Sequence, residues 1–289
     1  MARHEIENML RVKFCFLRVL QIVTIVAGAC TCACSSAEDW FEKKTVWHGF
    51  DQFHFRIAGQ PAYLVAPQKA AAGNPWIWRA RFPNFHAEAD VELVRKGFHI
   101  GYVNVAGLFG SPKAMSIGDA FYDYVTSMRS LSKSPVMEGV SRGGLFVYNW
   151  TALHPERVRC IYCDTPVLDF KSWPGGQGSG IGSAGAWKQC LAAWDLTEDE
   201  AAKYKGIPLD HADVVAQNKI PVLHIVSESD TVVPPKENTY VLQKRLQQLG
   251  HRMDVISVPM GTEKSHGHHF THPDPQRVVD FVVSHALPQ

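Results

Sequence analysis

The chain has almost no charge surplus: 29 Lys and Arg stand against 28 Asp and Glu in 289 residues, a formal net charge of +1. Polyanions are bound through an excess of basic side chains. No basic run interleaved with aromatic residues makes up for the missing surplus, so nucleic acid is not an expected partner. Internal repeats are absent, which excludes solenoid and propeller arrays. Glycine is concentrated once, in the run Trp173-Pro-Gly-Gly-Gln-Gly-Ser-Gly-Ile-Gly-Ser183, but that run lacks the Lys-Ser/Thr ending of a phosphate-binding loop. The apolar stretch Val19 to Ala29 is too short for a comfortable membrane span.

That stretch has another use. Arg3, Arg11, Lys13 and Arg18 precede it and the small residues Cys30 to Ala37 follow it, the layout of an export signal cleaved after Ser35-Ser36-Ala37. Lipid attachment at Cys30, Cys32 or Cys34 is the competing reading, and an uncleaved anchor a further one. The expectation is residues 1–37 as signal, 38–289 as one domain, and a secreted or periplasmic protein, touching membrane only through that segment or a lipid. Of seven cysteines, only Cys160, Cys163 and Cys190 fall in the folded part, an odd number for an exported protein. Cys160 and Cys163 lie three apart in a strand-like run, which points them to opposite faces and argues against a zinc site. A disulfide from Cys190 to either, or three buried thiols, are both open. Nothing in the sequence bears on the oligomeric state.

With 46% hydrophobic and 20% charged residues, the chain suits a large single core. Thr45 to Phe55 and Ala62 to Ala66 read as an early antiparallel hairpin. Strand-like runs then alternate with helical spacing: Pro75 to Trp78, a helix around Ala87 to Lys96, Phe98 to Val105, a helix over Ile117 to Leu131, Pro135 to Glu138, a helix to Leu153, and Val158 to Cys163. Strand then helix, repeated, predicts an α/β fold with a mainly parallel sheet covered on both faces. Between about 164 and 218 the alternation stops, and the stretch reads as a mobile lid with helical pieces at Ala186 to Trp194 and from Thr197 to Lys205. The pattern resumes with Ile220 to Val226, a helix over Lys236 to Leu249, the strand Val255 to Val258, a His-rich loop, and a helix opened by Pro275.

Chemistry is concentrated in Gly139-Val140-Ser141-Arg142-Gly143-Gly144, because a strand leads in and a helix leads out. Such a turn strains the serine backbone, needs small residues on either side, and lifts the hydroxyl to a helix N-terminus, where negative charge is favoured. The bland alternative is a glycine-rich turn whose serine caps the helix. Asp230 follows the strand Ile220 to Val226 in Ser-Asp-Thr-Val-Val-Pro, either as a triad acid or as a turn former. The histidine loop offers His266, His268, His269 and His272; His268 follows Gly267 and sits seven residues before Pro275, which favours it as the base. A His-x-His-His cluster is also a metal motif, but only Asp274 stands near as a further ligand.

The order Ser141, Asp230, His268 and the loops that carry them resemble the serine α/β-hydrolase superfamily from about Trp47 onward, close to its prolyl oligopeptidase-like and esterase branches. The resemblance implies an α/β-hydrolase fold with a lid insertion and acyl transfer by a Ser-His-Asp triad. It implies an oxyanion hole from the backbone N–H of Arg142 and one of Ala80 to Phe82, Ala80 or Arg81 above all, with neither metal nor organic cofactor. Two departures stand out. Trp78-Arg79-Ala80-Arg81 replaces the usual His-Gly of the oxyanion loop, and Ser141 is followed by arginine, which is similar to the Gly-x-Ser-Arg-x-Gly of glucuronoyl esterases. Arg79, Arg81 and Arg142 thus flank the oxyanion region, either as ligands for a polar acyl group or carboxylate or as ion-pair partners of Asp164 or Asp169. With Trp173 and Trp187 offering flat faces for sugar rings, Arg79, Trp173 and Trp187 are the candidate substrate-binding residues, and a carbohydrate-linked carboxylic ester is the expected substrate. A peptidase of the prolyl oligopeptidase type ranks second, because such enzymes usually carry a propeller for which no room is expected here. A non-catalytic binding protein on the same fold ranks third.

Overall fold

The computed structural model describes residues 40–287. The signal-like segment, with Cys15, Cys30, Cys32 and Cys34, lies outside the described residues. A nine-stranded sheet runs through the described part in the order β1-β2-β3-β5-β4-β6-β7-β8-β9. The first three strands, β1 (Lys43–Trp47), β2 (Phe50–Ile57) and β3 (Gln60–Ala66), form an antiparallel meander that joins β5 (His99–Val103) antiparallel. From there β4 (Trp76–Arg79), β6 (Val136–Val140), β7 (Cys160–Asp164), β8 (Val222–Ser227) and β9 (Asp254–Val258) are parallel. Thr45 to Phe55, expected as one arm of a hairpin, is itself a hairpin: His48 and Gly49 both take positive φ and reverse the chain between β1 and β2.

Helices α1 (Glu88–Arg95) and α8 (Pro275–Ala286) cover one face of the sheet, and α2 (Pro112–Ser127), α3 (Gly143–Leu153), α6 (Ala212–Gln217) and α7 (Thr239–Gln248) cover the other. Two cores result. Trp76, Trp78, Met137 and Cys163 belong to one, and Ile77, Val136 and Cys160 to the other, the two-residue alternation of buried strands. Cys160 and Cys163 therefore lie in different cores, and they and Cys190 are buried free thiols. Helix α2 starts five residues before its expected position, because Pro112 at its first turn is preorganised for a helix start. The expected helix from Lys236 is interrupted at Asn238, whose side-chain oxygen is committed to the Leu168 and Asp169 N–H groups.

The insertion between β7 and β8 holds α4 (Ala184–Trp194) and α5 (Glu198–Lys203), the latter opened by a Thr197–Glu200 capping box. Phe170, Trp194 and Tyr204 form an aromatic cluster with centroids 5.2–5.7 Å apart. Glu237 accepts hydrogen bonds from Ser172 and Ser179, so the glycine-rich run is tied to the chain that follows Asp230.

Candidate active site

The loops at the carboxyl ends of β4, β6, β8 and β9 meet at one point. Ser141 directly follows β6 with φ of 52°, a left-handed conformation that is strained for a residue with a side chain. The strain is held from the neighbouring strand, for the Ser141 N–H donates to the Asp164 carbonyl (2.9 Å) and its carbonyl accepts from Val167 N–H (2.9 Å). Close approach sets the composition of the turn. A Cβ on Gly144 would fall 2.6 Å from the Pro166 Cβ and 2.8 Å from the Val167 carbonyl oxygen.

Ser141 Oγ lies 3.0 Å from His268 Nε2, and His268 Nδ1 lies 2.7 Å from Asp230 Oδ2. The other Asp230 oxygen accepts the N–H groups of Val232 and Val233, both at 2.8 Å, which fixes the carboxylate. With Nδ1–H donating to Asp230, Nε2 presents its lone pair to the serine hydroxyl, the tautomer a general base needs. The histidine loop reaches the acid loop only because residue 267 is glycine: at φ of 81° its Cβ would sit 2.1 Å from the Ser229 carbonyl oxygen. His266 and His269 are exposed and make no hydrogen bond to Ser141 or Asp230 among the described residues. His272 turns away from them, donating from Nε2 to the Tyr162 hydroxyl oxygen (3.1 Å) and accepting the Asp274 N–H on Nδ1 (3.1 Å). Burial holds its pKa below the ordinary histidine value, in keeping with that neutral tautomer.

Of the two N–H groups expected beside Arg142 N–H, the Ala80 N–H is spent: it donates to the Glu138 carbonyl (2.8 Å), extending the ladder between β4 and β6 by one residue. Arg81 N–H and Arg142 N–H find no acceptor among the described residues. They sit close to each other, since a Cβ on Gly143, next to Arg142, would lie 3.7 Å from the Arg81 nitrogen.

Arg79 does not line the site. It is 1% exposed, and its side chain enters the face of the sheet that α1 covers, where it pairs with Asp90 and with Glu138 (2.6 Å). Alternation along β4 is the reason, since Ile77 and Arg79 share a face opposite to that of Trp76 and Trp78. Its Nε and one terminal nitrogen donate to the Phe82 carbonyl (3.0 and 2.7 Å), and that same terminal nitrogen also donates to the Phe85 carbonyl. Arg79 thereby shapes the turn that carries the Arg81 N–H. Trp187 is likewise withdrawn, buried against Phe170 with its indole N–H on Glu198 (2.6 Å). Trp173 is half-buried, and the Arg142 guanidinium lies 5.4 Å from its ring centre and 5.2 Å from that of Phe109. The insertion carboxylates do not pair with these arginines: Asp164 binds His86, and Asp169 binds Lys171.

His86 carries no sequence signal and is a central tie. Its Nδ1 lies 2.7 Å from Asp164 Oδ2 and its Nε2 lies 2.7 Å from the Phe270 carbonyl, so both nitrogens face acceptors and the ring is suited to carry two protons. Burial pulls its pKa down, but the hydrogen bond and charge of Asp164, helped by the Phe270 carbonyl, outweigh that and leave it raised. The tie connects the oxyanion loop, the strand that holds Ser141, and the loop of His268. A raised folded-state pKa contributes stability in full below the unfolded value of about 6.5 and loses it as pH rises through the folded value. The melting-temperature gap between wild type and His86→Gln should accordingly be widest near pH 5.5 and shrink toward pH 9. A gap that stays constant or widens with pH would show that the imidazole is held neutral.

Comparison with known proteins fits this geometry. The sequence profile of the prolyl oligopeptidase family matches residues 120–284, more than half of the chain and all three loops that bear Ser141, Asp230 and His268. A search of curated protein sequences finds no match. Among solved structures, an acylaminoacyl peptidase from Pyrococcus horikoshii superposes with a TM-score of 0.61 at 18% identity, over 82% of this chain and 42% of that one. A puromycin-hydrolyzing peptidase from Mycobacterium tuberculosis gives 0.63 at 16% identity, over 85% and 41%. A thermostable esterase from Pseudomonas putida gives 0.58 at 16% identity, over 83% and 84%. The chain thus spans about two fifths of the length of these peptidases, and the likeness extends to their fold, an α/β-hydrolase. By the family match over residues 120–284, the chain belongs to the prolyl oligopeptidase family of serine hydrolases.

Proposed function

We propose that the protein is an exported carboxylic ester hydrolase acting through an acyl-enzyme on a polar, carbohydrate-linked ester, with residues 1–37 as its export signal and 38–289 as its one hydrolase domain. The observation that carries the hydrolytic reading is the continuous hydrogen-bonded line Ser141–His268–Asp230. His268 Nε2 takes the proton of Ser141 as Oγ attacks the acyl carbon, and Asp230 stabilises the imidazolium. The N–H groups of Arg142 and Arg81 receive the oxyanion, each such donor being worth about 3 kcal/mol in related chemistry. His268 then protonates the leaving alcohol, and water, deprotonated by the same imidazole, releases the acid.

Charge at the mouth favours an ester over a peptide with a free amino terminus. Carboxylates that would hold an amine are already engaged: Asp164 with His86, Asp169 with Lys171, Glu237 with Ser172 and Ser179. The groups left over are the cationic Arg81 and Arg142, the latter over the half-buried Trp173 ring. The peptidase reading stays second, supported by the peptidases among the structural neighbours. Rates on p-nitrophenyl acetate and on peptide p-nitroanilides decide between them, with a fluorophosphonate reporting Ser141 in either case. Ester turnover at least about a hundredfold above anilide turnover, roughly 2.7 kcal/mol of transition-state preference, is expected. Faster cleavage of an anilide would establish the peptidase, and labelling without turnover of either would count against the ester reading.

A further inference from the structure

Arg79 shows what a structural arginine looks like in this protein: its guanidinium is fully buried, with two carboxylates and two carbonyls on its donors. Arg81 and Arg142 are different. Each side chain has five N–H donors, and among the described residues none of them meets a hydrogen-bond acceptor or a carboxylate within 4 Å. Arg81 Nε is buried and has no partner among the described residues. Both residues are half-buried. Burial, and then the charge of Arg142, pull the Arg81 pKa down to about 10, and burial lowers that of Arg142. Two desolvated like charges near each other, with no counter-ion among the described residues, are costly, unlike the buried carboxylates described here, which have partners.

We propose that the Arg81 and Arg142 side chains form a binding site for a substrate carboxylate, so that the ester taken by this enzyme carries an anionic group near its scissile carbonyl; this rests on the ester reading above. Their backbone N–H groups are the two assigned to the oxyanion, so a carboxylate on their side chains is placed within one residue's reach of the reacting carbonyl. The Arg142 guanidinium carbon lies over the Phe109 and Trp173 rings, and that of Arg81 lies 4.3 Å over the Phe82 ring. An aromatic ring holds a guanidinium through its charge and consumes none of its N–H donors, which stay available to a carboxylate in the bidentate geometry that arginine favours and lysine does not reproduce. A carboxylate also returns to each guanidinium the hydrogen bonds that burial removed. The anion can sit on the acyl side, as in a half-ester of a diacid, or on the alcohol side, as in an O-acylated uronic acid.

Matched esters separate the two. Mono-4-nitrophenyl adipate against 4-nitrophenyl hexanoate tests the acyl side, and an O-acetylated methyl galacturonoside against the corresponding galactoside tests the alcohol side. In wild type, kcat/KM for the anionic member of one pair should exceed that of its neutral partner by about tenfold or more. The ratio should fall toward one in Arg81→Gln and in Arg142→Gln, with Arg142→Lys in between, in proteins whose melting temperatures confirm folding. Calorimetric titration of the Ser141→Ala protein with adipate and galacturonate, and with galactose as control, reads the same site without turnover. Binding of a carboxylate that weakens at least fivefold in the added Arg81→Gln variant is expected. Equal rates within both pairs, or a preference that survives both glutamine variants, overturns the proposal. If no ester is turned over at all, the ester reading fails by itself, and the titration still decides the anion site: no carboxylate binding overturns it.

Discussion

Ester turnover by Ser141→Ala is expected to fall by about four to six orders of magnitude while the melting temperature stays within a few degrees of wild type. The hydroxyl has no structural task that alanine cannot fill, because its one side-chain partner among the described residues is His268 Nε2, and the backbone bonds that hold the strained turn belong to residue 141 whatever its side chain. His268→Ala should lose a comparable factor, and the double variant little more, since nucleophile and base act as a unit. His266→Ala and His269→Ala, whose rings are exposed and lack a bond to Ser141 or Asp230, should each stay within about tenfold of wild type. Initial rates on p-nitrophenyl acetate, paired with melting curves, read all five. Turnover above about 1% of wild type in Ser141→Ala would remove the nucleophile from Ser141.

The largest effect on stability is expected at Arg79. Its guanidinium compensates Asp90 and Glu138 in a region from which water is excluded. Burial, offset by Arg79 and reinforced by Asp90, holds the Glu138 carboxyl well above the usual range, and the same guanidinium pairs with the Asp90 carboxylate. Arg79→Met leaves that carboxylate without a counter-charge and frees the carbonyls of Phe82 and Phe85. Removing one partner of a buried pair typically costs about 3–5 kcal/mol, or on the order of 10 °C in melting temperature for a domain of this size. Arg79→Lys should recover little, because one ammonium cannot span two carboxylates and two carbonyls. Ester kcat should fall as well, through displacement of the Arg81 N–H. A melting temperature within 2 °C of wild type in Arg79→Met would mean that the pocket tolerates or neutralises the remaining acids.

The three reactive loops were legible in the sequence because each is defined locally: a strand, a sharp turn or loop, then a helix, in a chain order that narrows the choices. Side-chain direction was not. Arg79, Arg81 and Arg142 look equivalent beside the turn, yet two-residue alternation along β4 sends Arg79 to the opposite face, and the register that sets Arg79 beside Glu138 makes them neighbours. A sequence clue did exist, since opposite charges in two adjoining apolar strands suit each other. The Ala80 N–H was misassigned for a related reason, the ladder running one residue past the apolar run. Trp187 shares a helix face with Cys190, a spacing of three that marks the packed side of α4. His86 had no clue at all: it lies in irregular chain, and its partners Asp164 and Phe270 are 78 and 184 residues away.

The bonds that hold Ser141 in place have a consequence for protein engineering. Asp164 and Val167 grip the serine backbone from either side, and the insertion departs from the sheet at those residues. Exchanging the insertion for that of a relative, an obvious way to alter selectivity, therefore transplants part of the nucleophile's own support. Chimeras spliced at residue 165 should lose activity for reasons unrelated to substrate choice, whereas those spliced after Leu168, whose N–H is anchored on Asn238, should keep the turn intact and let selectivity be read by itself.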